Sequence, residues 1–191
     1  MDFQQLEKTI SHIIPLDEED YNLVESLFNP LKINKNINLV EVGKPVKYAF
    51  FINSGYIRYY KTLDSGEELT IHLFGPNNFA TSLNSFFSGS ISDETMQSLT
   101  ECDLLCISKE DLEKLYATSP KWQYFGRKLM EGFLIEKEQR VIDQLSMTAQ
   151  QRYVKLLEKE RDIIQNVQVK YLASFLGIKP ESLSRIKKQI N

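Results

Sequence analysis

The sequence predicts an α+β fold, with a small all-β unit behind one or two short helices, then one long helix, then an all-α unit. Three observations carry that prediction. Between about Leu31 and Ile107, short runs rich in β-branched and aromatic residues alternate with turn clusters, the pattern of a β sandwich or barrel. After Ser119-Pro120 no proline interrupts the chain until Pro180, and apolar residues fall at helical spacing. Near the C-terminus, two short amphipathic segments flank Gly177-Ile178-Lys179, a turn.

In the first thirty residues, Leu16-Asp17-Glu18-Glu19-Asp20 places acids in a first helical turn, where the helix dipole favours them. Tyr21, Val24, Leu27 and Phe28 follow at helical spacing. Ile37 to Val42 is the first strand run, ended by Gly43-Lys44-Pro45, and Tyr48 to Ile52 is the next, closed by Asn53-Ser54-Gly55. Tyr56 to Thr62 and Leu69 to Phe74 flank Asp64-Ser65-Gly66-Glu67, which has the residues of a hairpin turn. Phe79 to Asp93 reads as a looser stretch, and Met96 to Thr100 and Leu104 to Ile107 close the β region.

Ser119 as N-cap and Pro120 in the first turn start a helix that runs to about Ser146, roughly 40 Å at ~1.5 Å per residue. It carries two apolar stripes: Trp122, Phe125, Leu129 and Phe133 on one, Met130, Leu134, Val141 and Leu145 on the other. Two stripes need two covers, such as the β unit and a second copy of the helix, the alternative being one helix buried on both sides within a monomer; the first stripe is assigned to the dimer contact. Thr148-Ala149-Gln150-Gln151 is a capping box opening a helix to about Asp162. Gln168 to Phe175 is a short helix with Val169, Leu172 and Ala173 inward, and Pro180 opens a final helix to about Ile190 with Leu183 and Ile186 inward. The division expected is residues 1–118, 119–146 and 147–191.

Composition excludes several classes. Of 191 residues 42% are hydrophobic and 26% charged, which is ordinary for a globular chain and unlike a disordered one. No apolar run approaches the roughly 18–20 residues of a membrane span, and the N-terminal residues lack the pattern of a secretory signal. Cys102 and Cys106 alone make neither a disulfide scaffold nor a four-cysteine metal site, so a reducing, cytoplasmic setting and no metal are expected. His12 and His72 have no ligand-like spacing, and no nucleophile motif or glycine-rich phosphate loop occurs, so an enzyme is not expected. The net charge of −3 conceals an uneven distribution: residues 121–191 carry +6 and residues 1–120 carry −9. Such asymmetry fits a basic interaction module joined to an acidic one.

The chemistry of the last helix suits double-stranded DNA. Helix, glycine-containing turn and helix make a helix-turn-helix, whose second helix enters the major groove. The face presented is Lys179, Glu181, Ser182, Arg185, Lys188 and Gln189, with Ser184 closer to the packing side. Arg185 can make a bidentate contact to guanine, Glu181 can accept from cytosine, and the lysines can neutralise phosphates. A protein-interaction module with a non-DNA-binding helical end remains the alternative, supported by the acidic front.

The stretch Tyr171-Leu172-Ala173-Ser174-Phe175-Leu176-Gly177-Ile178-Lys179-Pro180-Glu181-Ser182-Leu183-Ser184-Arg185-Ile186 closely resembles the DNA-binding motif of the CRP/FNR family of bacterial transcription regulators. Phe51-Ile52-Asn53-Ser54-Gly55-Tyr56-Ile57-Arg58 and Asp64-Ser65-Gly66-Glu67-Glu68 look like the opening hairpins of a cyclic-nucleotide-binding-like jelly roll. The resemblance covers nearly the whole chain. It implies a β jelly roll (double-stranded β-helix) as sensor, a homodimer about the long helix, DNA and RNA polymerase as partners, and a small-molecule effector.

Two departures qualify it. Relatives that bind cyclic AMP carry a glycine–glutamate turn and an arginine that neutralises the cyclic phosphate. Here the first position reads Ala80-Thr81-Ser82-Leu83-Asn84 and the second Ser92-Asp93-Glu94-Thr95. A carboxylate in place of the cation repels phosphate, so cyclic AMP is not expected to bind in the usual way. Tyr59, His72, Thr81, Ser82, Asp93 and Glu94 are the candidate lining of an altered pocket for an uncharged or cationic ligand. The sequence ends at Asn191, so the β-hairpin wing of many relatives is not expected.

Overall fold

A computed structural model describes residues 3–190. Two helices, α1 (Gln4–Ser11) and α2 (Glu18–Leu27), precede the β unit. Asp17 caps α2, accepting the Asp20 N–H, while the Asp20 carboxylate accepts the Asp17 N–H. The β unit contains β1 (Asn29–Ile33), β2 (Asn38–Val40), β3 (Tyr48–Ser54), β4 (Ile57–Thr62), β5 (Glu68–Phe74), β6 (Phe79–Ala80), helix α3 (Leu83–Ser88), β7 (Thr95–Ser98) and β8 (Cys102–Ser108). The strands form two four-stranded antiparallel sheets in the orders β1-β8-β3-β6 and β2-β7-β4-β5, a jelly roll. The strand runs read from sequence appear at their places. β1 begins with Asn29-Pro30, and a proline is tolerated there because β1 is an edge strand. The looser stretch contains β6 and α3, both too short to show a period.

Strands β3 and β8 are apolar on both faces because both faces are covered. Phe50, Ile52, Cys102 and Leu104 point into the roll with Ile57 and Met96, whereas Phe51, Leu105 and Ile107 meet Leu6, Ile10, Leu115 and Trp122 outside it. The turn from β3 to β4 requires Gly55. Its φ is +96°, and a Cβ there would stand 2.5 Å from both the Cys102 Sγ and the Glu101 carbonyl oxygen.

Helix α4 (Lys109–Thr118) is capped by Ser108, and α5 spans Pro120–Ser146 as expected. Ser119 starts α5, yet its hydroxyl is buried without a partner and caps nothing. The remaining helices are α6 (Ala149–Lys159), α7 (Arg161–Asn166), α8 (Val169–Leu176) and α9 (Pro180–Ile190). The Thr148–Gln151 capping box opens α6 as read from sequence. The helix expected to continue to Asp162 instead breaks at Glu160 and restarts as α7. Leu172, Ala173, Leu176, Leu183 and Ile186 close a core with Tyr153, Leu156, Ile163 and Ile164, and Leu73 and Leu99 of the roll belong to the same core. Val169, expected inward, is 38% exposed; Val167, just before α8, takes the buried place.

The apolar faces of α5 are assigned differently from the expectation. Trp122 and Phe125 are 1% and 5% exposed inside the protomer's own core, and Leu129 packs against it. Phe133 lies on the same side, half-buried in the cavity described below. This set therefore faces the roll. At ~100° per residue, Leu134, Val141 and Leu145 lie on another side of the helix, within about 40° of one another, with Ile135 and Ile142 about a quarter turn away. All five are exposed, Leu145 at 84%. Met130, the first residue of the second stripe read from sequence, is half-buried and lines the cavity, whose rim Val141 and Leu145 also border, so that stripe is exposed only from Leu134 onward.

Candidate nucleic-acid interface and effector cavity

Gly177 ends α8 in the left-handed conformation, φ +69°. Its N–H donates to the Ser174 carbonyl at 3.0 Å and the Ile178 N–H donates to the Ala173 carbonyl at 3.0 Å, closing the helix in a Schellman-type turn. The Lys179 carbonyl then accepts from the Ser182 and Leu183 N–H groups, and α9 begins. With Leu183 and Ile186 buried, the opposite face presents Lys179, Glu181, Arg185, Lys188 and Gln189 to solvent, with Ser182 half-buried. The Arg185 guanidinium lies 3.3 Å from the Ser182 hydroxyl. Ser184 is exposed rather than turned to the packing side, and its hydroxyl donates to the Pro180 carbonyl. Lys187 is half-buried.

The helical end docks on the roll through the free edge and outer face of β5 and β4. β5 is an edge strand, so its outward backbone groups need partners. Ser174 of α8 supplies two: its Oγ accepts the Thr70 N–H at 2.8 Å and donates to the Glu68 carbonyl at 3.0 Å. Arg140 of α5 donates to the Ile71 carbonyl and, at 3.1 Å, to the Phe175 carbonyl, with its guanidinium 3.8 Å over the Phe175 ring. Arg58 of β4 is 2% exposed, pairs with Glu68 at 2.7 Å, and lies between the rings of Tyr60 and Tyr171 at 3.7 and 4.0 Å. Sequence reading missed this arrangement. Arg58 gave no periodic signal, because its partner Tyr171 is more than a hundred residues away.

Between α5 and the roll lies a cavity of about 690 Å³, running from Trp122 to the docked α8. Of the six residues expected to line a pocket, Tyr59, His72, Thr81 and Glu94 do so. Ser82 is fully buried behind them and hydrogen-bonds the Tyr59 hydroxyl at 3.0 Å. Asp93 is turned outward and pairs with Lys61. Burial raises the Tyr59 phenol, and its hydroxyl also interacts with the Glu94 carboxylate. The aromatic walls, Phe74, Phe79, Phe86, Phe87 and Phe133, carry no signal in the sequence, because only the fold brings them together. Among the described residues no cluster of three or more His, Cys, Asp or Glu is placed to hold a metal ion. No described helix is long and apolar enough to cross a membrane. Cys102 and Cys106 both face the roll interior, and burial pushes both thiols up, away from reactivity.

His72 sits at the cavity wall against Phe74, ring centroids 4.2 Å apart. Burial, followed by the charges of Arg140 and Lys137, depresses its pKa to about 3. The neighbouring Glu136, 3.7 Å away, therefore faces a neutral ring at pH 7. A depressed base binds fewer protons folded than unfolded, so stability is lost as pH falls from about 6.5 towards 3. Burial raises the Glu136 and Glu160 carboxyls, which opposes this trend at the acid end. Between pH 7.5 and 5 the His72 contribution to the loss is about 2 kcal/mol. Urea titrations are expected to lose that part of the slope in His72→Gln; an unchanged pH profile would discount the ring.

Comparison with known proteins places these features. Residues 30–119 match the family model of the cyclic nucleotide-binding domain. The matched residues are those of the roll, from β1 into α4. No curated protein matches the sequence. Among solved structures, FixK2 from Bradyrhizobium japonicum superimposes with a TM-score of 0.75 at 18% identity, covering 86% of this chain and 84% of that one. The c-di-GMP-responsive global regulator CLP of Xanthomonas campestris gives 0.69 at 19% identity, covering 91% of both chains. The catabolite activator protein of Thermus thermophilus gives 0.59 at 19% identity, covering 95% and 86%. The similarity covers 86–95% of this chain, well beyond the roll. The chain thus has the fold of the CRP/FNR regulators that its motifs resemble.

Proposed function

We propose that the protein is a homodimeric, sequence-specific DNA-binding transcription regulator of CRP/FNR type, not an enzyme, that works in the cytoplasm with RNA polymerase. Its parts are a sensor (residues 1–118), a dimerisation helix (119–146) and a DNA-binding unit (147–191). The observation that carries this reading is α9: Leu183 and Ile186 anchor it while Arg185, Lys179, Lys188 and Gln189 stand free on one face. That is the arrangement a major-groove reader needs, since bases and phosphates are reached by exposed side chains on a rigidly held helix. The exposed α5 stripe supports the dimer, and two reading helices imply a pseudo-palindromic operator.

In this reading the sensor does not take cyclic AMP in the usual manner. Glu94 faces the cavity, while Arg58 is committed to Glu68, Tyr60 and Tyr171 on the outer face of the roll.

Selection of bound duplexes from a random pool tests the reading. A pseudo-palindromic consensus is expected, and Arg185→Ala should weaken binding to it by about 1–3 kcal/mol while relaxing preference at one base position. Failure to enrich any sequence, with weak binding insensitive to salt, would favour a protein-interaction module instead.

A further inference from the structure

We infer that the cavity between the roll and α5 binds a small molecule with an apolar body, a hydrogen-bond donor at one end and no negative charge. This deepens the sensor half of the reading above, and its test needs no DNA, so the two can fail separately.

Size and lining come first. A volume of about 690 Å³ lies within the range of small-molecule sites, and such sites are mostly apolar with a few placed polar groups. The walls are aromatic and aliphatic, with Phe74, Phe79 and Phe86 from the roll and Leu129 and Phe133 from α5. A nucleotide's sugar and phosphate would find few partners along them, whereas a flat or extended apolar body would bury much of its surface.

The polar end fixes the sign. Tyr59 contacts Ser82 on one side and Glu94 on the other, so its hydroxyl is already engaged. Ser82 is itself fully buried. The Glu94 carboxylate accepts from the Ser92 hydroxyl at 3.3 Å and keeps further acceptor capacity, which rewards a donor on the ligand and repels an anion. The nearby Lys61 ammonium interacts with Glu94 through space but is committed to another carboxylate. Asp93 holds Lys61 on the outside of the roll, and Arg58 is turned to the opposite face of its strand. At the far end, Arg140 spends its guanidinium on the Ile71 and Phe175 carbonyls, and Lys137 interacts with Glu136.

The probe is N-phenyl-1-naphthylamine, a neutral fluorophore with one N–H donor, compared with 8-anilino-1-naphthalenesulfonate, the same skeleton bearing an anion. Titration of the full-length protein is expected to show one saturable site per protomer for the neutral probe, with binding at least about tenfold weaker for the sulfonate. Excess cyclic AMP should not displace the neutral probe. Glu94→Gln should narrow the gap between the two probes, and Leu83→Trp, which fills the cavity wall, should abolish saturable binding. Equal affinity for both probes, displacement by cyclic AMP, or saturable binding that survives Leu83→Trp would each overturn the inference. The probe comparison on the unaltered protein decides it even if a variant fails to fold.

Discussion

Replacing Ile142 and Leu145 together with glutamate is expected to make the protein a monomer in sedimentation and to weaken its binding to the selected two-half-site DNA by about a hundredfold or more. The stripe formed by Leu134, Val141 and Leu145, with Ile135 and Ile142 beside it, is exposed in the protomer. Burying an Ile or Leu side chain contributes about 1.5–3 kcal/mol, and a two-fold contact buries each of these residues twice. Four added carboxylates across one seam also repel one another. Since both positions are solvent-facing within the protomer, the circular dichroism spectrum should not change. A sedimentation coefficient equal to that of the unaltered protein would overturn the assignment of this stripe to a dimer contact. The parallel change at Phe125 should behave differently: Phe125→Ala opens a void in the protomer core and lowers stability, so it is no test of dimerisation.

Arg58→Ala is expected to lower the unfolding free energy by about 3 kcal/mol and to release α8 from the roll. The guanidinium is almost fully buried, pairs with Glu68, and is covered on both faces by Tyr60 and Tyr171. A desolvated cation–π contact is worth about 2 kcal/mol or more, and a hydrogen bond to a charged group about 1.5–3 kcal/mol. Arg58→Lys should rescue little, because an ammonium cannot lie flat between two rings while holding a carboxylate. Urea denaturation gives the size of the effect. Hydrogen exchange at Leu172 to Leu176 reports whether α8 is released. If exchange there is unchanged while global stability falls, Arg58 braces only its own sheet. In a double-mutant cycle Tyr171→Leu should couple to Arg58→Ala, since the two remove one shared contact.

Elements that depend on local chemistry were legible from sequence. The Ser119-Pro120 start, the Thr148–Gln151 box and the glycine at position 177 each set a local backbone conformation, and the structure has helix boundaries at all three. The short pieces β6, α3 and α7 span too few residues to express a period, so they were read as loop or as part of a neighbouring helix. The candidate pocket was partly legible because the resemblance marks where a ligand would sit in a roll of this kind, and Tyr59, His72, Thr81 and Glu94 fall there. Ser82 and Asp93 were misplaced because strand and turn geometry, invisible in the sequence, turns one inward and the other out.

The sequence by itself determined the order of β roll, long helix and terminal helix pair, most of the solvent-facing side chains of α9, and the helical periodicity of the apolar residues of α5. Periodicity and capping are local properties, and the chain carries them wherever it goes. Only the tertiary structure decided which stripe is free, which aromatic rings wall the cavity, and that Arg58 lies between Tyr60 and Tyr171. Those outcomes depend on how the roll, α5 and α8 pack together, and the contacts that fix that packing join residues about 70 to more than 100 positions apart.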